Sequence, residues 1–264
     1  YHKVMARLQE PVAGKCGPVS DTGYPIGMSG KLVYDSLQLN ARRRVGGEDA
    51  KEQPFHQLTS EADTTLQFDS LFESGNLYQA YLIGDHEYEL VMKNDYNTNG
   101  HTQWYYFQVK NMRKGVQYKL HIVNFYKRSS MYSKGLRPLL YSEKNAADKK
   151  SGWQRTGTGI SYRKNDYLYS KRSQGKPKCY FSLTFYVEFP ARGDTCYLAH
   201  CYPYTYTDLQ THLQRLSSDV ECRRICRRKA LCETLAGNRC DVLTITSPRD
   251  PDATEEEISN PPLR

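Results

Sequence analysis

His86-Glu87-Tyr88-Glu89 sets a histidine and a glutamate at the H-x-x-E spacing used by some zinc sites. Around them, HEYELVMK alternates Tyr88, Leu90 and Met92 with Glu89, Val91 and Lys93, the period of a strand. Strand positions i and i+3 point to opposite faces, so His86 and Glu89 are not expected to grip one ion. Cys222 and Cys226, with Cys232 and Cys240 beyond, form a second candidate. The first spacing fits one helix face but lacks the tight C-x-x-C turn of structural zinc sites. Reduced, non-ligating thiols are the expectation there. Arg223, Arg224, Arg227, Arg228 and Lys229 pair arginines at i, i+4. On a helix they make a basic stripe able to contact an acidic chain or phosphate, or simply a solvated face.

The remaining short motifs carry less chemistry. Arg192-Gly193-Asp194 matches an adhesion tripeptide but sits between two strand patterns, where a turn is the simpler reading. Gly157-Thr158-Gly159 is too short for a phosphate loop. There is no G-x-S-x-G and no Walker sequence, and no Ser, His and Asp spacing suggests a nucleophile with its base. No catalytic residue and no metal ligand is therefore assigned.

The 264 residues carry a net charge of +8, which fits either an acidic partner (nucleic acid, an anionic membrane or an acidic polypeptide) or simply a basic, soluble surface. No apolar run approaches the roughly 18 to 20 residues that span a bilayer. The chain begins at Tyr1 without a signal-peptide pattern and has no N-x-[ST] acceptor. The 8 cysteines are expected to be reduced in a cytosolic protein.

Several elements could position these groups. Residues 1 to 62, rich in Gly, Pro and charge, read as a partly disordered leader. Residues 63 to 200 read as an antiparallel β-sandwich. WYYFQVK is aromatic and β-prone. VQYKLHIVN puts Val116, Tyr118, Leu120 and Ile122 on one face, and CYFSLTFYVEF does the same with Phe181, Leu183, Phe185, Val187 and Phe189. After Pro203, Leu209, Leu213 and Leu216 mark a helix, capped by Thr207 or Asp208. A second helix is expected to run to about Leu235, with Gly237 as its C-cap. Val242 to Thr246 then reads as a strand buried on both faces, the start of an α/β layer over residues 201 to 264. The tail from Pro248 reads as a polar loop.

Taken together, FESGNL (72–77), HTQWYYFQV (101–109), GLRPLLYS (135–142), DTCYLAHCYPYTYTDLQ (194–210), LCETLAGN (231–238) and VLTIT (242–246) resemble the cytosolic carboxypeptidase family. HTQWYYF and YPYTYTDLQ look most like its type 2 and type 3 branch. The resemblance implies a β-sandwich N-terminal domain followed by the start of a metallocarboxypeptidase α/β domain. It implies a zinc enzyme of the cytosol and of microtubule-associated structures that trims glutamates from tubulin and other acidic tails, with no membrane and no specific nucleic acid as partner. Tyr202, Pro203, Tyr204 and Tyr206 resemble the family's interdomain junction, where tyrosine rings are expected to pack against both layers. Arg223, Arg224, Arg227 and Arg228 are the expected acidic-partner contacts. The family's H-P-G-E type zinc motif, later histidine, substrate arginines and general-base glutamate have no counterpart in residues 1 to 264. These residues alone are accordingly expected to bind no zinc and to be inactive. The alternative is a stand-alone β-sandwich that binds microtubules or acidic tails. The sandwich is expected to fold alone, and residues from about 203 onward to be loose or aggregation-prone.

Overall fold

The computed structural model describes residues 19–47, 50, 52–98, 100–170 and 176–247. The first 18 residues of the expected leader and the polar tail from Pro248 lie outside these ranges. Two compact units divide the chain: Tyr1–Asp95 with Asn99–Tyr202, and Tyr96–Thr98 with Pro203–Arg264.

The first unit contains two sheets. One has seven strands: β1 (Val19–Ser20), β2 (Lys31–Asp35), β4 (Leu77–Gly84), β5 (Glu87–Met92), β7 (Gln117–Phe125), β10 (Thr158–Tyr169) and β11 (Lys178–Glu188). Their spatial order is β1-β10-β11-β7-β5-β4-β2. The other has five, β3 (Gln67–Asp69), β6 (Tyr106–Lys110), β8 (Leu139–Ser142), β9 (Gln154–Arg155) and β12 (Cys196–Ala199), in the order β3-β6-β12-β8-β9. Helix α1 (Ser36–Val45) follows β2, and α2 (Glu143–Lys149) follows β8.

Alternation along the strands builds the core. Tyr118, Leu120 and Ile122 of β7 are fully buried, as are Leu183 and Phe185 of β11. They join Phe68, Phe107, Val109 and Leu198 of the five-stranded sheet in one apolar cluster. Phe68 of β3 meets Tyr88 of β5 edge to face, with centroids 5.5 Å apart. Each such ring contributes about 1.5–3 kcal/mol by leaving water.

Two expectations for this unit need correction. The seven-stranded sheet is mixed, not antiparallel: β5 and β7 pair in parallel from Glu87↔Lys119 to Leu90↔Ile122, and β1 pairs in parallel with β10. The cause is connectivity. Between β5 and β7 the chain crosses to the other sheet as β6 and returns, so β7 re-enters in the direction of β5. The leader, in its described part, is also structured. Val33 and Tyr34 of β2 are fully buried, and Asp35 caps α1 by accepting hydrogen bonds from the Leu37 and Gln38 amides at 2.9 Å. Short length and glycine-rich surroundings hid this strand from the sequence pattern.

The second unit holds α3 (Tyr206–Ser218), α4 (Val220–Ile225) and a hairpin of β13 (Cys226–Glu233) and β14 (Arg239–Ile245). Thr205, not Thr207, is the N-cap of α3: its hydroxyl accepts from the Asp208 amide, and Asp208 accepts from the Thr205 amide. The expected second helix ends at Ile225. Residues of good helix propensity, Arg227 to Glu233, are drawn into a strand by pairing with Arg239–Ile245. Gly237, at φ +78°, turns the hairpin and caps no helix. Val242–Thr246 is not a doubly buried parallel strand: among the described residues β14 pairs with β13 alone, and Ile245 is 70% exposed.

Tyr34 ties β2 to the flank of the other sheet. Its buried hydroxyl accepts the Ser70 amide at 3.0 Å and bonds the Ser70 hydroxyl at 2.9 Å. Tyr34→Phe strips that amide of its acceptor, which costs about 1–3 kcal/mol. The expected result is a lower urea midpoint with an unchanged denaturant slope.

Candidate functional site

The structure separates the sequence candidates. His86 occupies the β4–β5 turn at φ +54° and stacks edge-on against Tyr118. Glu89 instead accepts the Tyr167 hydroxyl at 2.6 Å. Among the described residues no group of three or more His, Cys, Asp or Glu side chains could hold a metal ion. Cys222 lies on α4 and Cys226 opens β13, so they share no helix face, while Cys232 and Cys240 face each other across the hairpin. All four are free thiols.

The Asp194 of Arg192-Gly193-Asp194 is 2% exposed. It accepts the Ser142 hydroxyl at 2.5 Å, the Lys144 amide at 3.1 Å and the Cys196 thiol at 3.4 Å. It fastens the β8–α2 corner to β12 and is not displayed to a receptor. Burial pushes the Cys196 thiol well up, with Asp194 beside it adding to the effect. Gly157 and Gly159, both at positive φ, flank Thr158 where β10 begins.

The basic stripe does not form. Arg223 and Arg224 stand exposed on α4, with Arg224 3.4 Å from Glu221. Arg227 and Arg228 are half-buried on β13. Arg228 donates to Asp241 at 2.8 Å and to the Gln210 side chain, and Arg239 pairs with the same Asp241 at 2.7 Å. The hydrogen bond from Arg228, helped by Gln210 and Arg239 against burial, holds the Asp241 carboxyl down to about 2. Arg228 thus anchors the hairpin to α3.

The junction tyrosines divide between the two units, Tyr202 closing the first and Tyr204 and Tyr206 belonging to the second. Tyr202 and Tyr204 are 56% and 64% exposed, and Pro203 is half-buried between them. The Arg155 guanidinium lies 5.7 Å from the Tyr202 ring. Tyr206 starts α3 and donates its hydroxyl to the Arg239 carbonyl at 3.2 Å.

What the sequence did not reveal sits immediately before them. Tyr105 and Tyr132 share a hydroxyl–hydroxyl hydrogen bond of 2.5 Å, and the Tyr132 hydroxyl lies 3.0 Å from His200 Nδ1. The His200 ring meets both tyrosines edge to face, and its amide donates to the Tyr105 carbonyl at 2.9 Å. Burial pushes both phenols up and His200 down, and the Arg155 and Lys127 charges lower His200 further. The arrangement is a relay of two buried phenols ending on a half-buried imidazole whose protonated form is disfavoured. It can hold a proton in place, and with both phenols pushed up by burial neither tyrosine is activated for attack. Separations of 27 and 68 residues left no local signal for it.

A second constellation crosses β5, β7 and β11. His121 joins the Thr184 hydroxyl through Nδ1 at 2.7 Å and Glu87 through Nε2 at 2.8 Å, and Lys119 bonds Glu87 at 2.7 Å. Against the effect of burial, Lys119 and His121 hold the Glu87 carboxyl below its ordinary range. The residue types match a hydroxyl–imidazole–carboxylate chain. They stand on three neighbouring strands as cross-strand pairs, the ordinary device for pinning sheet register.

Residues 68–199, which make up most of the two-sheet unit, match the model of the cytosolic carboxypeptidase N-terminal domain. The chain is 48% identical over 205 residues to cytosolic carboxypeptidase 2 of Xenopus tropicalis, covering 78% of this chain and 20% of that one. Against cytosolic carboxypeptidase 2 of Danio rerio it is 47% identical over 237 residues, covering 86% and 32%. Against cytosolic carboxypeptidase 3 of Mus musculus it is 47% identical over 251 residues, covering 91% and 24%. The chain belongs to the cytosolic carboxypeptidase family. It spans a third or less of the length of these relatives. No helix among the described residues is long and apolar enough to cross a membrane.

His200 generates a pH dependence. Its lowered pKa means that the folded state binds fewer protons than the unfolded state as pH falls through the ordinary histidine value of 6.5. Stability is therefore full above that value and declines below it. Urea midpoints measured across this range should fall on acidification in the wild type and fall less in His200→Gln.

Proposed function

We propose that this chain forms the N-terminal part of a zinc metallocarboxypeptidase that removes glutamates from the acidic tails of tubulin and other cytosolic proteins. The observation that carries the reading is the match of residues 68–199 to the family's N-terminal domain, extended through the junction by relatives that are themselves named carboxypeptidases. A net charge of +8 supports an acidic substrate, because a basic surface raises the local concentration of polyglutamate chains.

Zinc and the hydrolytic groups do not fit the described residues, which contain no cluster able to hold a metal ion. In this reading they belong to the length of the relatives that the chain does not span. The contribution of this chain is a scaffold: the two-sheet unit, the His200 relay at its end, and the β13–β14 hairpin. The hairpin has main-chain groups and apolar side chains, such as Val242 and Ile245, available to further strands.

A second reading, a module that binds acidic tails or microtubules without catalysis, is favoured by the exposure of Arg223 and Arg224. One assay separates the two. The natural protein containing this chain, incubated with a glutamylated tail peptide, should release glutamate and lose that activity to a zinc chelator, whereas the 264-residue chain should release none. Zinc-dependent glutamate release by the 264-residue chain alone would show that the active site has been misassigned. Tail binding by both proteins with hydrolysis by neither would establish the binding module.

A further inference from the structure

Residues 21–30 connect β1, at one edge of the seven-stranded sheet, to β2, at the other. Two glycines pin this strap. At Gly23, φ +82°, an added Cβ would lie 2.5 Å from the Asn94 amide nitrogen, and the Gly23 carbonyl accepts the Tyr126 hydroxyl at 2.9 Å. At Gly30, φ +103°, an added Cβ would lie 2.4 Å from the Leu82 carbonyl oxygen. Between the pins, Tyr24, Pro25 and Met28 border a surface cavity of about 610 Å³ whose other wall includes Tyr78, Gln79 and Tyr81 of β4.

A bulge creates that wall. Leu77 pairs with Met92 and Gln79 with Val91, so Tyr78 is the additional residue. Without it the strand period would send Tyr78 and Tyr81 to opposite faces. With it, Leu77 and Ala80 enter the core while Tyr78, Gln79 and Tyr81 all remain half-buried at the cavity. Tyr24 packs on Tyr78 with centroids 4.4 Å apart. Three aromatic rings therefore line one opening.

The charge behind them is negative. Asp35, 4% exposed, accepts from Gln79 Nε2 at 2.7 Å, and Gln79 Oε1 in turn accepts the Tyr81 hydroxyl at 2.9 Å. Asp35 makes no ion pair among the described residues, though Lys93 feels its field. Burial, and then Asp35, push the Tyr78 and Tyr81 phenols upward, so both rings stay neutral.

We propose that this cavity recognises an alkylated ammonium group carried on a peptide, of the kind a trimethylated lysine presents. Tyrosine faces attract a cation, and a buried carboxylate adds to the field without offering a competing direct contact. A primary ammonium keeps its water tightly, whereas a trimethylammonium sheds it readily and fills an aromatic cavity. The volume, in the range of ligand sites, accommodates the headgroup together with its methylene stem, which a small free ion would leave empty.

The test is calorimetric titration of the intact 264-residue chain with short uncharged-flank peptides. One carries trimethyl-lysine, one lysine, and one the neutral isostere in which tert-butyl replaces trimethylammonium. Tetramethylammonium chloride is the free-cation arm. The trimethyl-lysine peptide should bind saturably and about tenfold more tightly than the other two peptides. Tyr81→Leu and Tyr24→Leu should each weaken it by about tenfold, while Tyr81→Phe, which keeps the ring, should retain it. Circular dichroism of each variant identifies loss of fold. Equal binding of the tert-butyl isostere, absence of saturation, or unchanged affinity in folded Leu variants would overturn the proposal. Tetramethylammonium binding as tightly as the peptide would overturn the peptide as its source.

Discussion

A buried phenol must find a partner for its hydroxyl, and the rest of the first unit depends on that constraint. Ring burial supplies most of the driving force but has little directional preference. The hydroxyls are directional. Tyr34 meets Ser70, Tyr88 accepts the Leu66 amide, Tyr118 accepts the Arg113 amide, and Tyr105 meets Tyr132. Each bond fixes where a ring of one element stands against the backbone or side chain of another. An aromatic core that could otherwise slide is locked in register, because leaving any of these groups unpaired would forfeit what the ring gained.

The same logic holds the mixed sheet together where parallel pairing runs out. Beyond Leu90↔Ile122 the β5–β7 ladder ends, and the fully buried Asn124 continues it with a side chain. Its amide accepts from the Met92 N–H at 2.9 Å and donates to the Met92 carbonyl at 2.8 Å, as a backbone partner would. The excursion of β6 into the second sheet makes this parallel pair necessary. That excursion also brings Tyr105 beside His200, so the relay at the end of the unit follows from the topology.

The family assignment gives these features a setting. A two-sheet unit that ends on His200 and Tyr202, and a separately organised helix and hairpin after Pro203, are the two parts this chain contributes to the family. Asp241 organises the hairpin from within by collecting Arg228, Arg239 and Gln210. Charges that looked available for a partner are in part committed to the chain's own structure.

The sequence by itself determined the strands with a clean period of two and the order of family motifs. Tyr118, Leu120 and Ile122 alternate with polar neighbours, and a half-buried strand permits little else. It placed Tyr88, Leu90 and Met92 on one face of a strand, but not His86, which the structure puts in the turn before β5. Only the tertiary structure decided that β5 and β7 run parallel, since pairing direction depends on a crossover that no local pattern records. It alone turned Arg227 to Glu233 into a strand, where pairing with β14 outweighed helix propensity. It alone set Tyr78 beside Tyr81, because one extra residue in a strand reverses which face every later side chain meets.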